Sequence, residues 1–318
     1  YPKDTKSDPT KTLRSATEFN KMGINLVIGP VFHNNLIYLD EVSDTTFLSL
    51  TNKTLDLPKN VISTGVNSTS QINAIKKFIE KNEIKKSIFL IPNLSYDLEI
   101  KKGIKNSKIK TFKEFYYDIE PTKLTKQIEK ITNYDTRKQN LFDEITRLEN
   151  SEDPNKEKKI ENLKKRYTLG GLNFDSVIIA DFDESLKSVI TSLLYTDVSP
   201  KDKYFITLNQ WFDESLLKET ASQPIYYPSI NQENLNKFTN KFFEQFNQKP
   251  DHISLLSYDL VGLIYYLSLK NDLKQINKVF NAKNSFKGKI GIFDIENNKI
   301  NHRLNFYKVD NSSIKEIF

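Results

Sequence analysis

The sequence predicts an α/β protein whose parallel strands carry helices on both sheet faces. Short apolar strands alternate with helices of 10 to 15 residues along most of the chain, the signature of crossover units. The first such unit closes on a Gly-Pro loop, where a sheet ladder cannot continue. The length of 318 residues predicts two lobes, because a single core usually stops growing at about 250–300 residues.

The first unit is legible residue by residue. Asp8 is a helix N-cap and Pro9 suits the first helical position; Thr12, Leu13, Ala16, Phe19 and Met22 recur at helical spacing up to a stop at Gly23. A buried strand, Ile24 to Ile28, follows and ends in Gly29-Pro30-Val31-Phe32. A helix from Asn34 to Ser43 precedes the strand Phe47 to Leu50. A helix from Thr69 to Lys81, with Ile72, Ile75, Phe78 and Ile79 on one side, precedes the strand Ser87 to Ile91.

Next come a helix around Tyr96 to Ile104, a strand around Lys110 to Tyr117, a helix from Thr122 to Thr132 and a strand from Ser176 to Ala180. The second half continues with a helix from Glu184 to Tyr195, a strand from Tyr204 to Leu208, a helix near Glu214 and the apolar run Ile225-Tyr226-Tyr227-Pro228. A long helix, Gln232 to Phe246, leads to a largely buried one, Ile253 to Leu269. From Phe286 the period falls to two on either side of Asn297-Asn298, which predicts a terminal β-hairpin.

One segment breaks the alternation. Residues 133–168 are dense in charge with a thin apolar seam of Leu141, Ile145, Leu148, Ile160 and Leu163, and they predict a helical hairpin turning at Ser151-Glu152-Asp153-Pro154. Such an insertion either packs on one lobe or protrudes as an arm for a partner.

Composition narrows the chemistry. Zero Cys excludes a disulfide framework, a Cys-ligated zinc site, an iron–sulfur cluster and a thiol nucleophile, and three scattered His (His33, His252, His302) cannot build a His-rich metal centre. No cofactor and no metal are therefore expected. The net charge is +6, but the Lys runs are interleaved with Glu and Asp, and Ala occurs only five times beside abundant Lys, Asn and Ile, as in an AT-rich genome. The basic balance thus predicts solvated surface rather than nucleic-acid binding. The longest apolar stretch, Leu255 to Leu269, is interrupted by Asp259 and falls short of the roughly 20 residues of a membrane span. The chain opens on Tyr1 with no apolar leader, so an export signal or lipid anchor is expected to have been removed or to lie upstream.

No phosphate-cradling GxxxxGK[ST] or GxGxxG occurs, and Gly170-Gly171 follows a helix, where a C-terminal cap explains it. No GxSxG elbow follows a strand. Ligands of open α/β sheets sit beyond the carboxyl ends of strands. There the sequence offers Phe32 and His33, Thr51 and Asn52, Asn93 and Tyr96, Asp181 and Asp183, and Asn209, Gln210 and Trp211. They suit a binding cleft between two lobes and contain no organised acid, base and nucleophile. Asp181 and Asp183 either meet a ligand or have ordinary duties, Asp183 capping the next helix and Asp181 facing water. His33 without an evident orienting carboxylate reads as a structural residue.

The order of segments resembles the type 1 periplasmic-binding fold, and within it the penicillin-binding protein activators of Gram-negative bacteria. The similar pieces are Gly23 to Phe32, Tyr96-Asp97, Tyr134-Asp135-Thr136-Arg137, Asn173 to Ile179, Trp211-Phe212-Asp213, Ser257-Tyr258-Asp259 and Phe286 to Phe293. The charged insertion opening at Tyr134 points to the activator branch; the Gly-Pro loop, the Tyr-Asp helix and the terminal Gly-x-x-Gly hairpin specify the fold only.

The resemblance implies two Rossmann-like lobes joined by several crossovers. Lobe 1 would be residues 1–83 with 227–285, lacking its first strand and helix, lobe 2 residues 84–226, and the hairpin 286–318 would lie near the hinge. It implies a non-enzymatic, periplasmic binding or regulatory protein acting on cell-wall synthesis through contact with a penicillin-binding protein, its lipid anchor upstream. The alternative is a solute receptor serving an ABC transporter permease with an amino acid or other small polar ligand. Amino-acid receptors of this fold place small hydroxyl residues after the Gly-Pro loop and an acid for the ammonium group; here stand Phe32-His33 and the amides Asn209-Gln210. Thr51 and Tyr96 match, yet a zwitterion would be poorly neutralised.

Overall fold

The computed structural model describes residues 1–208, 215–270, 276–289 and 291–318. In chain order its elements are α1 (Pro9–Lys21), β1 (Leu26–Ile28), β2 (Thr46–Ser49), β3 (Val61–Ser63), α2 (Ser68–Lys81), β4 (Ser87–Pro92), α3 (Asp97–Ser107), β5 (Lys113–Tyr117), α4 (Pro121–Ile131), α5 (Tyr134–Glu149) and α6 (Lys156–Lys164). They continue with β6 (Ser176–Ile179), α7 (Asp183–Tyr195), β7 (Tyr204–Thr207), α8 (Ser215–Lys218), β8 (Ile225–Ser229), α9 (Gln232–Phe246), α10 (His252–Lys270), α11 (Ile276–Asn281), β9 (Asn284–Lys287), β10 (Ile292–Glu296), β11 (Lys299–Arg303), β12 (Asn305–Asp310) and β13 (Ser313–Glu316).

The chain divides into two packed units. Unit 1 is Tyr1–Ala74, Leu98–Lys108 and Pro228–Asn305; unit 2 is Ile75–Asp97, Ile109–Tyr227 and Phe306–Phe318.

Unit 1 holds a parallel sheet in the order β1-β2-β3 and an antiparallel sheet in the order β11-β10-β9. Its α1 forms as its signals dictate: the Asp8 carboxylate accepts from Lys11 N at 2.8 Å, Pro9 opens the helix, and Gly23 follows it at φ +74°. Ala16 of α1 packs with Leu36, Leu39, Val42, Phe47 and Val61 in the core of this unit. Asn297 and Asn298, both at positive φ, form the turn between β10 and β11. His302 on β11 is buried; its ring hydrogen-bonds Thr64 O at 2.8 Å, and burial pushes its pKa down to about 4.

Unit 2 is built on a seven-stranded sheet in the order β13-β12-β8-β7-β6-β4-β5. Strands β5, β4, β6, β7 and β8 run parallel, and Ile88 to Ile91 and Val177 to Ala180 are almost wholly buried, as expected of strands covered on both faces. Leu124 and Ile128 of α4 and Leu186, Val189, Ile190 and Leu193 of α7 complete its core. Phe306 on β12 stacks on Phe78 at 4.5 Å between ring centroids.

Several elements differ from the sequence expectation. Residues 34–43 form two short 3₁₀ turns, His33–Leu36 and Leu39–Glu41, where Leu36 and Leu39 reach the core without a continuous helix. β3, which the sequence does not predict, is a strand of only three residues. The strand expected to be buried from Ile24 to Ile28 shortens to β1, half-buried with Ile28 39% exposed, because it forms one edge of its sheet. The terminal segment does not make one hairpin: β10 and β11 pair in unit 1, while β12 joins the large sheet of unit 2. The helix expected near Glu214 begins, among the described residues, at Ser215.

α10 also corrects the reading of a largely buried helix. Leu255, Leu256, Leu260, Leu263 and Leu267 are buried on one side, while Tyr258, Val261, Tyr265 and Leu269 on the other are 53–67% exposed. Among the described residues it is the helix long and apolar enough to cross a membrane by length and composition. It nevertheless carries a buried Asp259, whose Oδ1 accepts from Lys289 N at 2.7 Å. A Cβ on Gly288 would overlap that carboxylate, so the turn between β9 and β10 needs glycine there for space alone.

Candidate functional site

Parallel strands end together, so the loops beyond their carboxyl ends gather residues distant in sequence. In unit 2 the loops after β4, β5 and β6 bring Tyr96, Tyr117 and Asp181 together, because β4 lies between β5 and β6. Asp181 is 2% exposed. Its Oδ1 accepts from the Tyr96 hydroxyl at 3.1 Å and from Phe182 N at 2.8 Å. Its Oδ2 accepts from the Tyr117 hydroxyl at 2.5 Å and from Ser185 Oγ at 2.6 Å.

A carboxylate offers about four lone-pair sites, two per oxygen, and this one has two donors on each. Burial, followed by the Asp181 charge, pushes both phenols far above the ordinary tyrosine range, so Tyr96 and Tyr117 keep their protons and remain donors. Tyr96 meets Phe182 edge to face at 6.0 Å, and both rings are half-buried. The cluster can hold three strand-end loops in register; it offers no free acid.

Asp181 therefore does not face water, and the residue at the cap of α7 is Phe182, with Asp183 exposed at the first helical position and φ +50°. Asn93 is exposed, its backbone N–H bonded to Tyr117 O at 2.8 Å. Asn209, Gln210 and Trp211 lie outside the described residues. Sequence reasoning missed Tyr117 and Ser185; the spacing of Ser185, four residues after Asp181 at the head of a helix, was the available signal.

In unit 1 the strand-end residues are Phe32, His33, Thr51 and Asn52. Phe32 is 57% exposed and Asn52 is exposed. The His33 ring bonds Leu55 O at 2.9 Å, in keeping with a structural histidine. Thr51 is buried: its Oγ1 accepts from Lys53 N, and its carbonyl accepts from Ser63 Oγ at 2.6 Å and Gly65 N at 3.0 Å. A second buried carboxylate, Glu99, pins this loop from α3. Its Oε1 accepts from Thr54 N and Leu55 N, both at 2.7 Å, and its Oε2 accepts from Thr54 Oγ1 at 2.8 Å. Sequence reasoning gave no sign of it. Among the described strand-end residues, the side chains of His33, Thr51, Tyr96 and Asp181 are thus engaged with their own loops, while Asn52, Asn93 and Asp183 are exposed.

The helical insertion of unit 2 is formed by α5 and α6 and fastened at its base by Arg137. This guanidinium is buried, with Nη1 donating to Thr196 O at 3.0 Å and Nη2 to Thr168 Oγ1 at 2.7 Å and Asp197 O at 3.3 Å. Asp197 Oδ2 lies 3.7 Å from Nη2 and accepts from Thr168 Oγ1 at 2.6 Å. The insertion exposes Phe142 (65%) on α5, and Tyr167 (78%) next to Thr168 at its base.

No protein-family model matches the chain, and no curated protein matches it by sequence. Solved structures do. The C-domain of LpoA from Haemophilus influenzae, a regulator of PBP1A, is similar over 96% of this chain and 86% of its own, at 11% identity and a TM-score of 0.62; the chain spans about half of full-length LpoA. An ABC transporter substrate-binding protein from Desulfitobacterium hafniense, in complex with Leu, is similar over 99% of this chain and 87% of its own, at 14% identity and a TM-score of 0.61. An extracellular ligand-binding receptor from Rhodopseudomonas palustris HaA2 covers 99% and 88%, at 13% identity and a TM-score of 0.59. These neighbours are binding or regulatory proteins, and with them the chain shares the type 1 periplasmic-binding fold.

Proposed function

We propose that the chain is a non-enzymatic regulatory protein of the periplasm that acts through protein contacts, its partner being a penicillin-binding protein that synthesises peptidoglycan. The observation that carries this reading is the saturation of Asp181 by four donors. A receptor for a free amino acid needs an uncommitted carboxylate for the ammonium group, since a buried unpaired charge is costly. The buried acid at this strand end is spent on its own loops. The anchored insertion with exposed Phe142 and Tyr167 supplies what a protein contact needs, aromatic anchors on a held scaffold.

The test is binding of the purified chain to purified penicillin-binding proteins by biolayer interferometry. Micromolar or tighter binding to one of them, weakened at least tenfold in the Phe142→Glu, Tyr167→Glu double variant, is expected. No binding to any, or binding indifferent to both substitutions, contradicts the assignment.

A second reading, a solute receptor for an ABC transporter permease, is favoured by Thr51 and by Tyr96 beside Phe182 at the strand ends. It would suit a small polar ligand that brings no ammonium group to the Asp181 cluster.

A further inference from the structure

The two arms of the insertion in unit 2 carry opposite charge. Between residues 134 and 155 six acids stand against three cations; between 156 and 166 six cations stand against two acids. The basic arm is α6, and no residue of it is buried. Its least exposed residues, Lys156, Ile160 and Leu163, recur at helical spacing on the side that packs on α5. Lys158 and Lys165 point the opposite way, with Lys164 beside them and Arg166 just past the helix end, and all four are exposed.

Helix stability does not account for this charge. The first turn of a helix favours acids, because its free N–H groups carry partial positive charge, and cations belong in the last turn. Lys164, Lys165 and Arg166 obey that rule; Lys156, Lys158 and Lys159 do not. Lys156 Nζ donates to Glu149 O and Ser151 O, both at 3.2 Å, Lys159 pairs with Asp153, and Lys165 pairs with Glu161. Lys158, Lys164 and Arg166 have no ion pair among the described residues. They stand on a held base, since Arg137 fastens Thr168, and the exposed Tyr167 comes directly before it.

Such a surface selects an anionic occupant. A bilayer of acidic lipids fits poorly, because a helix lying on it inserts an apolar face, and Ile160 and Leu163 are on the side turned to α5. A second copy could offer only its acidic arm, where Glu144 and Asp153 are already paired with Arg147 and Lys159. An acidic protein surface meets neither objection: unpaired cations speed the encounter, and an exposed tyrosine beside them supplies an anchor. Resting on the regulatory reading above, we propose that the outer side of α6 is the docking surface for an acidic patch of the partner protein. Lys158, Lys164, Lys165 and Arg166 steer the approach, and Tyr167 seats at the edge of the contact.

The experiment is the rate of association of the purified chain with purified penicillin-binding proteins at about 50 and about 300 mM salt. A variant carrying Lys158→Glu, Lys164→Glu and Arg166→Glu keeps good helix formers in place. Its control carries Lys59→Glu, Lys85→Glu and Lys110→Glu at exposed positions elsewhere. At low salt the α6 variant is expected to associate about tenfold more slowly than the wild type and the control to stay within about twofold; the wild-type rate should fall about tenfold at high salt. Wild-type binding that ignores both salt and the α6 substitutions overturns this inference and leaves the regulatory reading standing, as does an equal loss in the control, which would make the effect one of net charge. No binding by the wild type to any of these proteins overturns both. Capture by vesicles of phosphatidylglycerol that the α6 variant loses overturns the inference in favour of a lipid surface. A dimer in sedimentation that the α6 variant dissolves overturns it in favour of a second copy.

Discussion

Tyr117 donates its hydroxyl to Asp181 Oδ2 at 2.5 Å across 64 residues of sequence, and both side chains are buried at the carboxyl ends of their strands. The bond exists because β4 separates β5 from β6, so two loops on either side of one strand meet above it. Truncating Asp181 leaves the Tyr117 and Tyr96 hydroxyls without their acceptor. Asp181→Ala is expected to cost about 3 kcal/mol, and Tyr117→Phe about 1–2 kcal/mol, in chemical denaturation. A stable Asp181→Ala protein that gains affinity for an anionic ligand would instead mean that the carboxylate guards an open site.

Arg137 holds the insertion by three hydrogen bonds to residues 168, 196 and 197. Arg137→Met keeps the aliphatic stem and removes the donors, leaving Thr196 O and Thr168 Oγ1 to find others. Limited proteolysis near Ser151–Asn155 is expected to quicken about tenfold with unit 2 otherwise intact. Unchanged cleavage would show that the apolar seam alone fixes the arm.

Gly288 lies against the Asp259 carboxylate with no room for a methyl group. Gly288→Ala is expected to destabilise by roughly 2–3 kcal/mol. Combined with Asp259→Ala, which opens the space, the pair should cost less than the sum of the single changes, a coupling that a double-mutant cycle reads directly.

His302 makes stability depend on pH in a definite direction. Its pKa is about 4 in the fold against about 6.5 in an unfolded chain. Between these values the unfolded state binds the proton and the native state does not, so stability falls as pH drops through 6.5 towards 4. The loss amounts to the order of 3 kcal/mol. Denaturant midpoints between pH 7 and 4.5 should decline in the wild type and flatten in His302→Gln, whose neutral amide retains a donor for Thr64 O. A parallel decline in both would place the effect elsewhere.

Much of the architecture was legible because it rests on local signals. The Asp8-Pro9 start, the Gly23 stop and the buried runs at Ile88 and Val177 each announce an element through capping, backbone freedom or uninterrupted apolar residues. What stayed hidden depends on neighbours chosen by the fold. Val61–Ser63 is a strand only because Phe47 and Leu48 lie beside it, and α10 is apolar on both sides, so its sequence does not say which side is covered. Asp181 stood out by its place after a strand, but its partners Tyr96 and Tyr117 lie 85 and 64 residues away, and sheet order cannot be read from spacing. The final segment alternates throughout, yet the chain passes from one sheet to another at Asn305, a choice made by the faces waiting to pair with it.

Asp181, the buried acid at the strand ends of unit 2, is spent on its own loops, and the proposed regulatory role predicts that a free amino acid does not bind. Thermal unfolding of the purified chain against a panel of amino acids, short peptides and peptidoglycan fragments tests it most directly. Free amino acids at millimolar concentration are expected to move the midpoint by less than about 1 °C, since a ligand that is not bound adds nothing to stability. A shift of several degrees with leucine or another zwitterion, as about 2.7 kcal/mol from saturation at 100 times Kd would produce, would contradict the account and make the protein a solute receptor.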